Sequence, residues 1–244
     1  MTTYNEQYYQ DLATPNVHSA ALSRTFMARV FSWMFLALTI TAVTSFVWAA
    51  TPSLIRLLIN SDGTGYSVFG WIVILAPLGF VLLMSLGFQK LPAMVLVLLF
   101  LVFSILMGMS LSFIFLVYNL GAIGITFGIT SAMFGVMAIA GYVTKTDLTK
   151  FGSILMMGLV GLIIAMLVNF FLKSDAMGYI ISIIGVLIFT GLTAYDVQRL
   201  KKIGTMIDKS GNMILKMSIM GALTLYLDFI NLFLFLLRLM GGRK

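Results

Sequence analysis

The stretch KLPAMVLVLLFLVFSILMGMSLSFIFLVYNLGAIGITFGITSAMFGVMAIAGYVTK, Lys90 to Lys145, carries no charge between its two outermost lysines. Its 54 interior residues are too many for one bilayer crossing, which takes about 20 mostly apolar residues at about 1.5 Å rise each. Near the middle, Tyr118-Asn119-Leu120-Gly121 is a polar break that reads as a tight turn. The stretch therefore predicts two membrane helices, at 92–117 and 122–143. Its runs exceed the roughly 10 residues of a membrane β-strand and lack strict alternation, so the spans are helical.

Working outward, the gaps between charges act as the same ruler. Arg29 to Arg56, Asp62 to Lys90, Lys150 to Lys173, Asp175 to Asp196, and Lys216 to Arg238, interrupted only by Asp228, are the other long gaps. They predict spans at 30–50, 68–88, 152–172, 177–198 and 215–237. The expectation is an all-α polytopic membrane protein, a seven-transmembrane-helix bundle forming one domain over 30–244, after a polar N-terminal segment at 1–29. The first apolar run starts too late and is too long for a cleavable signal peptide, so it is expected to serve as insertion signal and permanent helix.

Composition agrees with this class. The 244 residues are 61% hydrophobic and 9% charged, against about 45–50% and about 25% for a soluble domain. The absence of cysteine excludes disulfides, thiolate nucleophiles and iron–sulfur clusters. The single histidine, His18, precedes the first span, so neither a histidine metal cluster nor a Ser-His-Asp triad can be assembled. No P-loop, GxGxxG, GxSxG or EF-hand pattern is present. No cofactor and no enzymatic activity are expected.

The net charge of +7 is explained by the positive-inside bias and anionic lipid rather than by nucleic acid. With the N-terminus cytoplasmic, ten of the fifteen Lys and Arg fall on the inner side. Arg56, Lys173, Arg238, Arg243 and Lys244 fall on the outer side. A full crossing by the last helix is favoured over a re-entrant one. Ser104-Gly108-Ser112 and Gly124-Gly128-Ala132 have the spacing that lets helix backbones approach in lipid. The 18 methionines are scattered through the spans and read as core filling.

Eight acids can be placed individually. Glu6 and Asp11 lie in the N-terminal segment, Asp62 and Asp175 in outer loops, and Asp147 and Asp208 in inner loops. Asp196, at the inner end of the sixth span, and Asp228, near the middle of the seventh, remain. An aspartate at the centre of a membrane helix costs on the order of 2.5–3.5 kcal/mol by insertion scales. Gly221, Thr224, Asp228 and Asn231 share one helix face, and Ser182, Gly185, Phe189, Thr193 and Asp196 share another. If these faces meet, two carboxyl groups lie in the core.

Two such groups cannot both ionise cheaply, so the pair titrates in two steps and is proton-sensitive. Ionised, it offers hard oxygen ligands suited to Ca²⁺ or another cation; protonated, one carboxyl can donate to the other and close the site. Arg199, one turn beyond Asp196, is a candidate basic partner. Ideal helices ending at the predicted boundaries would leave the two acids at depths about 12 residues, or about 18 Å, apart.

At three motifs the chain resembles the transmembrane Bax-inhibitor-motif family, in its bacterial branch. These are Gly141-Tyr142-Val143-Thr144-Lys145-Thr146-Asp147-Leu148, Phe189-Thr190-Gly191-Leu192-Thr193-Ala194-Tyr195-Asp196 and Tyr226-Leu227-Asp228-Phe229-Ile230-Asn231-Leu232-Phe233. The resemblance runs from roughly residue 25 to the end. It implies an inner-membrane bundle with the C-terminal helix central, acting as a pH-sensitive Ca²⁺ leak whose sensor maps onto Asp196 and Asp228. Thr193, Tyr195, Thr224 and Asn231 are the supporting polar residues.

The family's basic latch on the second helix is an arginine, and its closest counterpart here is Lys90. A lysine cannot reproduce an arginine's bidentate fork. Some members carry a glutamate within the second span, whereas this chain has none and the corresponding position falls near Gly79. Lys209-Ser210-Gly211-Asn212 reads as an extra turn between the two aspartates.

Two other readings compete with the channel. Some bacterial relatives are thought to modulate a membrane-bound ATP-dependent protease, for which residues 1–29 would be the handle. An intramembrane aspartyl protease would also use two helix-borne aspartates, but its GxGD motif is absent because Leu225-Tyr226-Leu227 precedes Asp228.

Overall fold

A computed structural model describes residues 3–60, 65–206 and 211–241, with side chains from residue 21 onward. Asp62, Asp208, Lys209, Ser210, Arg243 and Lys244 lie outside the described residues, as do the side chains of Glu6, Asp11 and His18. Nine helices are described: α1 (Thr3–Ala50), α2 (Pro52–Leu58), α3 (Val68–Gly87), α4 (Ala93–Leu111), α5 (Ile114–Val117), α6 (Leu120–Val143), α7 (Thr149–Leu172), α8 (Asp175–Met206) and α9 (Gly211–Met240). Seven segments are long and apolar enough to cross a membrane, with α4 and α5 together making one of them. The expected seven-helix membrane fold is the one observed.

Local chemistry fixes several boundaries. Asn119 Oδ1 accepts from the backbone N–H of Ala122 at 2.7 Å, capping α6 at the expected polar break. Ser67 caps α3 in the same way, through Gly70 N–H at 2.9 Å. The span read as 92–117 is interrupted between α4 and α5, where Ser112 Oγ donates back to the Met109 carbonyl at 2.6 Å.

Two helices run past the charges that set their predicted ends. Ser23, Phe26, Met27, Val30, Met34, Ala37 and Thr41 are all buried, and their spacing of three or four puts them on one face of α1. The buried face therefore reaches back at least to Ser23 rather than stopping at residue 30. Arg24 and Arg29 lie on the exposed side of the same helix. Likewise α8 continues to Met206 because Val197, Leu200 and Gly204 stay buried while Arg199 and Lys202 point outward.

Helix α9 is the centre of the bundle. It packs against α8, α1, α6 and α4, and it is one unbroken helix of 30 residues, about 45 Å long, with no re-entrant break. Tyr226 anchors it: the ring is fully buried, edge-on to Phe103 at 5.3 Å and to Phe100 at 6.4 Å between centroids. The Tyr226 hydroxyl lies 2.8 Å from Thr41 Oγ1, which itself donates to the Ser104 carbonyl at 2.9 Å. The network ties α9 to α1 and α4 and leaves none of its polar groups unpaired.

The two small-residue motifs behave differently. Gly108 sits tightly against Thr44 of α1, as a packing role requires. Gly124 and Gly128 have nothing within 4 Å of where a Cβ would stand, so the expected close approach does not occur there within the chain. The methionines also divide: Met27, Met34 and Met84 fill the core, whereas Met94 and Met157 face outward.

One end of the bundle is tied together by side chains. Ser23 Oγ donates to the Lys201 carbonyl at 2.9 Å, and Lys216 Nζ donates to the Gln89 carbonyl at 3.5 Å. These contacts bring the Ser23 turn of α1, the α3–α4 turn, the end of α8 and the start of α9 to the same side.

Candidate functional site: an aspartate pair on the floor of a cleft

The two predicted polar faces do meet. Gly185 of α8 receives the ring of Phe235 of α9, whose Cδ2 lies 2.6 Å from the position of a Cβ. Phe189 stacks on that ring at 5.9 Å between centroids. Farther along the same interface, Asp196 and Asp228 line one cavity together. Both are buried, at 8% and 5% exposure.

The expected difference in depth is reduced by the helix lengths. Asp196 lies ten residues before the last described residue of α8, Met206, and Asp228 lies seventeen residues after Gly211. The offset falls to seven residues, about 10 Å along an ideal helix. Side chains lean toward the N-terminus of their own helix. On two consecutive helices running in opposite directions, this tilts Asp196 and Asp228 toward each other.

Asp228 is turned to this interface by its neighbour. Two residues along a helix is about 200°, so anchoring Tyr226 on α1 and α4 points Asp228 toward α8. Asp196 is fixed from the other side. A Cβ at Gly141 of α6 would collide with the Ala194 carbonyl oxygen, so only glycine allows the two backbones to come this close.

Gln198 secures the next half-turn of α8. Its Nε2 donates to the Thr146 carbonyl at 2.7 Å and its Oε1 accepts from Leu148 N–H at 2.9 Å. The charge ruler passes over this residue because it is uncharged. Beside it, Lys201 Nζ donates to the Tyr142 carbonyl at 2.7 Å and lies 4.6 Å from that ring's centroid. Lys202 reaches Asp147 at 2.9 Å. The Asp147 carboxyl, in the loop, is held well below the usual range by the Thr149 hydroxyl, and next by Lys202.

Both acids line one cavity, and Asp196 also lines a second. One, about 930 Å³, is walled by Leu78 of α3 and by Met156, Leu159 and Ile163 of α7; Asp196, Asp228 and Asn231 form its polar floor. The other, about 350 Å³, runs from Asp196 past Met217 and Gly221 to Ser85 and Phe88 near the end of α3. Asp196, Arg199 and Thr224 line both. Arg238 lines the first cavity only.

Other predicted residues take distinct places. Thr193 is fully buried and donates to Phe189 O of its own helix at 2.8 Å, and Thr224 does the same to Met220 O at 3.1 Å. Asn231 Nδ2 donates to Leu227 O at 2.9 Å, and Tyr195 lies along the larger cavity. Arg199 stands 4.0 Å from Asp196, with 62% of its side chain exposed. Solvent around the exposed guanidinium weakens this pair. Lys90 is exposed, and neither of the two ion pairs among the described residues includes it.

Chemically, two carboxyl groups can hydrogen-bond only when one of them is protonated, because an ionised carboxylate has no donor. Asp228 Oδ2 is buried without a hydrogen-bond partner. Among the described residues, no group of three or more His, Cys, Asp and Glu is assembled.

A family profile described as "Inhibitor of apoptosis-promoting Bax1" matches residues 23–244. The chain is 46% identical over 222 residues to the inner membrane protein YbhL of Escherichia coli, covering 91% of this chain and 93% of that protein. It is 43% identical over 223 residues to an uncharacterized protein of Borreliella burgdorferi, covering 91% and 94%. The same identity and length hold for the uncharacterized protein RP147 of Rickettsia prowazekii, with 91% of each covered.

Proposed function

The chain belongs to the family of the inhibitor of apoptosis-promoting Bax1, and from that membership we propose that it is a cation leak pathway gated by protonation of Asp196 and Asp228. Calcium is the proposed cargo. By the name of its Escherichia coli relative, the proposed location is an inner membrane, with the lysine-rich end cytoplasmic under the positive-inside rule.

The observation that carries the reading is the pairing itself. The two acids found in membrane spans come from different helices and line one cavity together, and Asp196, Arg199 and Thr224 also line a second. With a proton between them, the carboxyl groups bond to each other and close the junction. Loss of that proton leaves two negative charges, which repel each other and attract a cation. Arg199 at the same junction opposes cation entry, so it acts as a positive gatekeeper from α8 in the role the sequence also offered to Lys90.

The test is Ca²⁺ entry into proteoliposomes over a range of pH. Flux above that of protein-free liposomes, rising as pH increases, is the expected result. Flux equal to protein-free liposomes at every pH overturns the proposal.

A further inference from the structure

A second polar feature lies away from the aspartate pair. Where the loop between α6 and α7 meets the end of α8, a pocket of about 190 Å³ is lined by Lys145, Lys201, Lys202, Thr144 and Thr205, with Asp147 as its only acid among the described residues. Three lysines against one aspartate leave a surplus of two positive charges. Lys202 is engaged by Asp147 and Lys201 by the Tyr142 carbonyl. An ammonium group has three donors, so each of these lysines retains donor capacity. Lys145 is exposed and makes no side-chain hydrogen bond among those described.

Two further observations identify the occupant. The pocket is built on the end of a membrane helix, since Thr144 directly follows the last residue of α6. Below it, Val136, Ile139 and Val143 are 65–66% exposed and lie along one face of α6. A basic pocket above an outward apolar stripe matches a molecule with an anionic head and hydrocarbon tails. Basic pockets between helices on the cytoplasmic side are the general form of such recognition.

We propose that this pocket binds the phosphate head of an anionic phospholipid, with its acyl chains along Val136, Ile139 and Val143. The bound lipid sits against Gln198 and Lys201, about half a turn and about one and a half turns beyond Asp196 on the same helix. It therefore braces the α8 segment that presents the site.

The test uses the full chain purified in detergent, with retained lipid counted by native mass spectrometry. Phosphatidylglycerol should be retained about fivefold over phosphatidylcholine. The Lys145→Gln/Lys202→Gln variant should lose that preference, while Arg56→Gln, at the opposite end of the bundle, should keep it. Because Lys202 also holds Asp147, the single Lys145→Gln variant guards against a folding defect and should at least halve the preference. Retention unchanged in both lysine variants, or lost equally in Arg56→Gln, overturns the proposal. Full displacement of the lipid by millimolar inorganic phosphate also overturns it, since the ligand would then be a soluble anion.

Discussion

Tyr226 and Asp228 stand two positions apart on the central helix and have opposite surroundings: the tyrosine hydroxyl is satisfied by Thr41, whereas one carboxyl oxygen of the aspartate has no hydrogen-bond partner. One holds the helix and the other is held in position by it. The aspartate's orientation toward α8 thus depends on the tyrosine ring more than on its hydroxyl.

Tyr226→Phe should therefore lower stability by about 0.5–1.5 kcal/mol, the net contribution of one hydrogen bond. The pH response of Ca²⁺ flux should stay as in the parent, because the ring still packs on Phe100 and Phe103. Unfolding in mixed micelles and flux in proteoliposomes are the two measurements.

Glycine substitutions should divide by location. Gly141→Val brings a side chain against the Ala194 carbonyl and should destabilise by about 1–3 kcal/mol, as overpacking does. Gly124→Ala meets nothing within 4 Å and should be neutral or stabilising by up to about 1 kcal/mol from helix propensity. Equal effects at the two positions in thermal unfolding would contradict the assignment of Gly141 as the close approach between α6 and α8.

Gln198→Leu would strip the Thr146 carbonyl and the Leu148 N–H of their partner. Each of the two part-buried hydrogen bonds is worth about 0.5–1.5 kcal/mol, so the loss should be about 1–3 kcal/mol. Amide hydrogen exchange at residues 144–148 should accelerate relative to the parent, and unchanged protection would show that the loop does not depend on Gln198.

The loop aspartate gives a pH control. The Asp147 carboxyl is held below its ordinary value of 3.8 by Thr149 and Lys202. A depressed folded value adds stability above the unfolded value, and that stability is lost as pH falls through the folded value. The affected window thus lies below 3.8. Across pH 5–8, Asp147→Asn should leave the pH dependence of flux unchanged, and a shifted profile would tie gating to the loop.

The fold was legible because charges are scarce. Each of the seven spans lies between charged residues, and Asp196 and Asp228 stood out as the acids left inside. The same ruler failed where charges occupy only one face of a continuing helix. Arg24 and Arg29 hid a buried face that reaches back at least to Ser23, and Arg199 and Lys202 hid the last turns of α8. That extension lessens the apparent mismatch in depth between the two acids. Gln198 left no trace in the charge pattern, and its partners are backbone groups about 50 residues away. Nor does spacing alone tell a buried small-residue stripe from an outward one, as Gly108 and Gly124 show.

Arg199→Gln should raise cation flux several-fold at fixed pH, because it removes the positive charge where the two cavities meet. Lys90→Gln should leave flux unchanged. The opposite ranking would move the latch to the end of α3.

The most direct measurement is Ca²⁺ flux against pH in proteoliposomes for the parent and for Asp228→Asn, which keeps the side chain's size and removes its titration. The parent should show a pH-dependent flux and the variant a flux that no longer varies with pH. A variant with the parent's flux and the parent's pH profile would contradict the account.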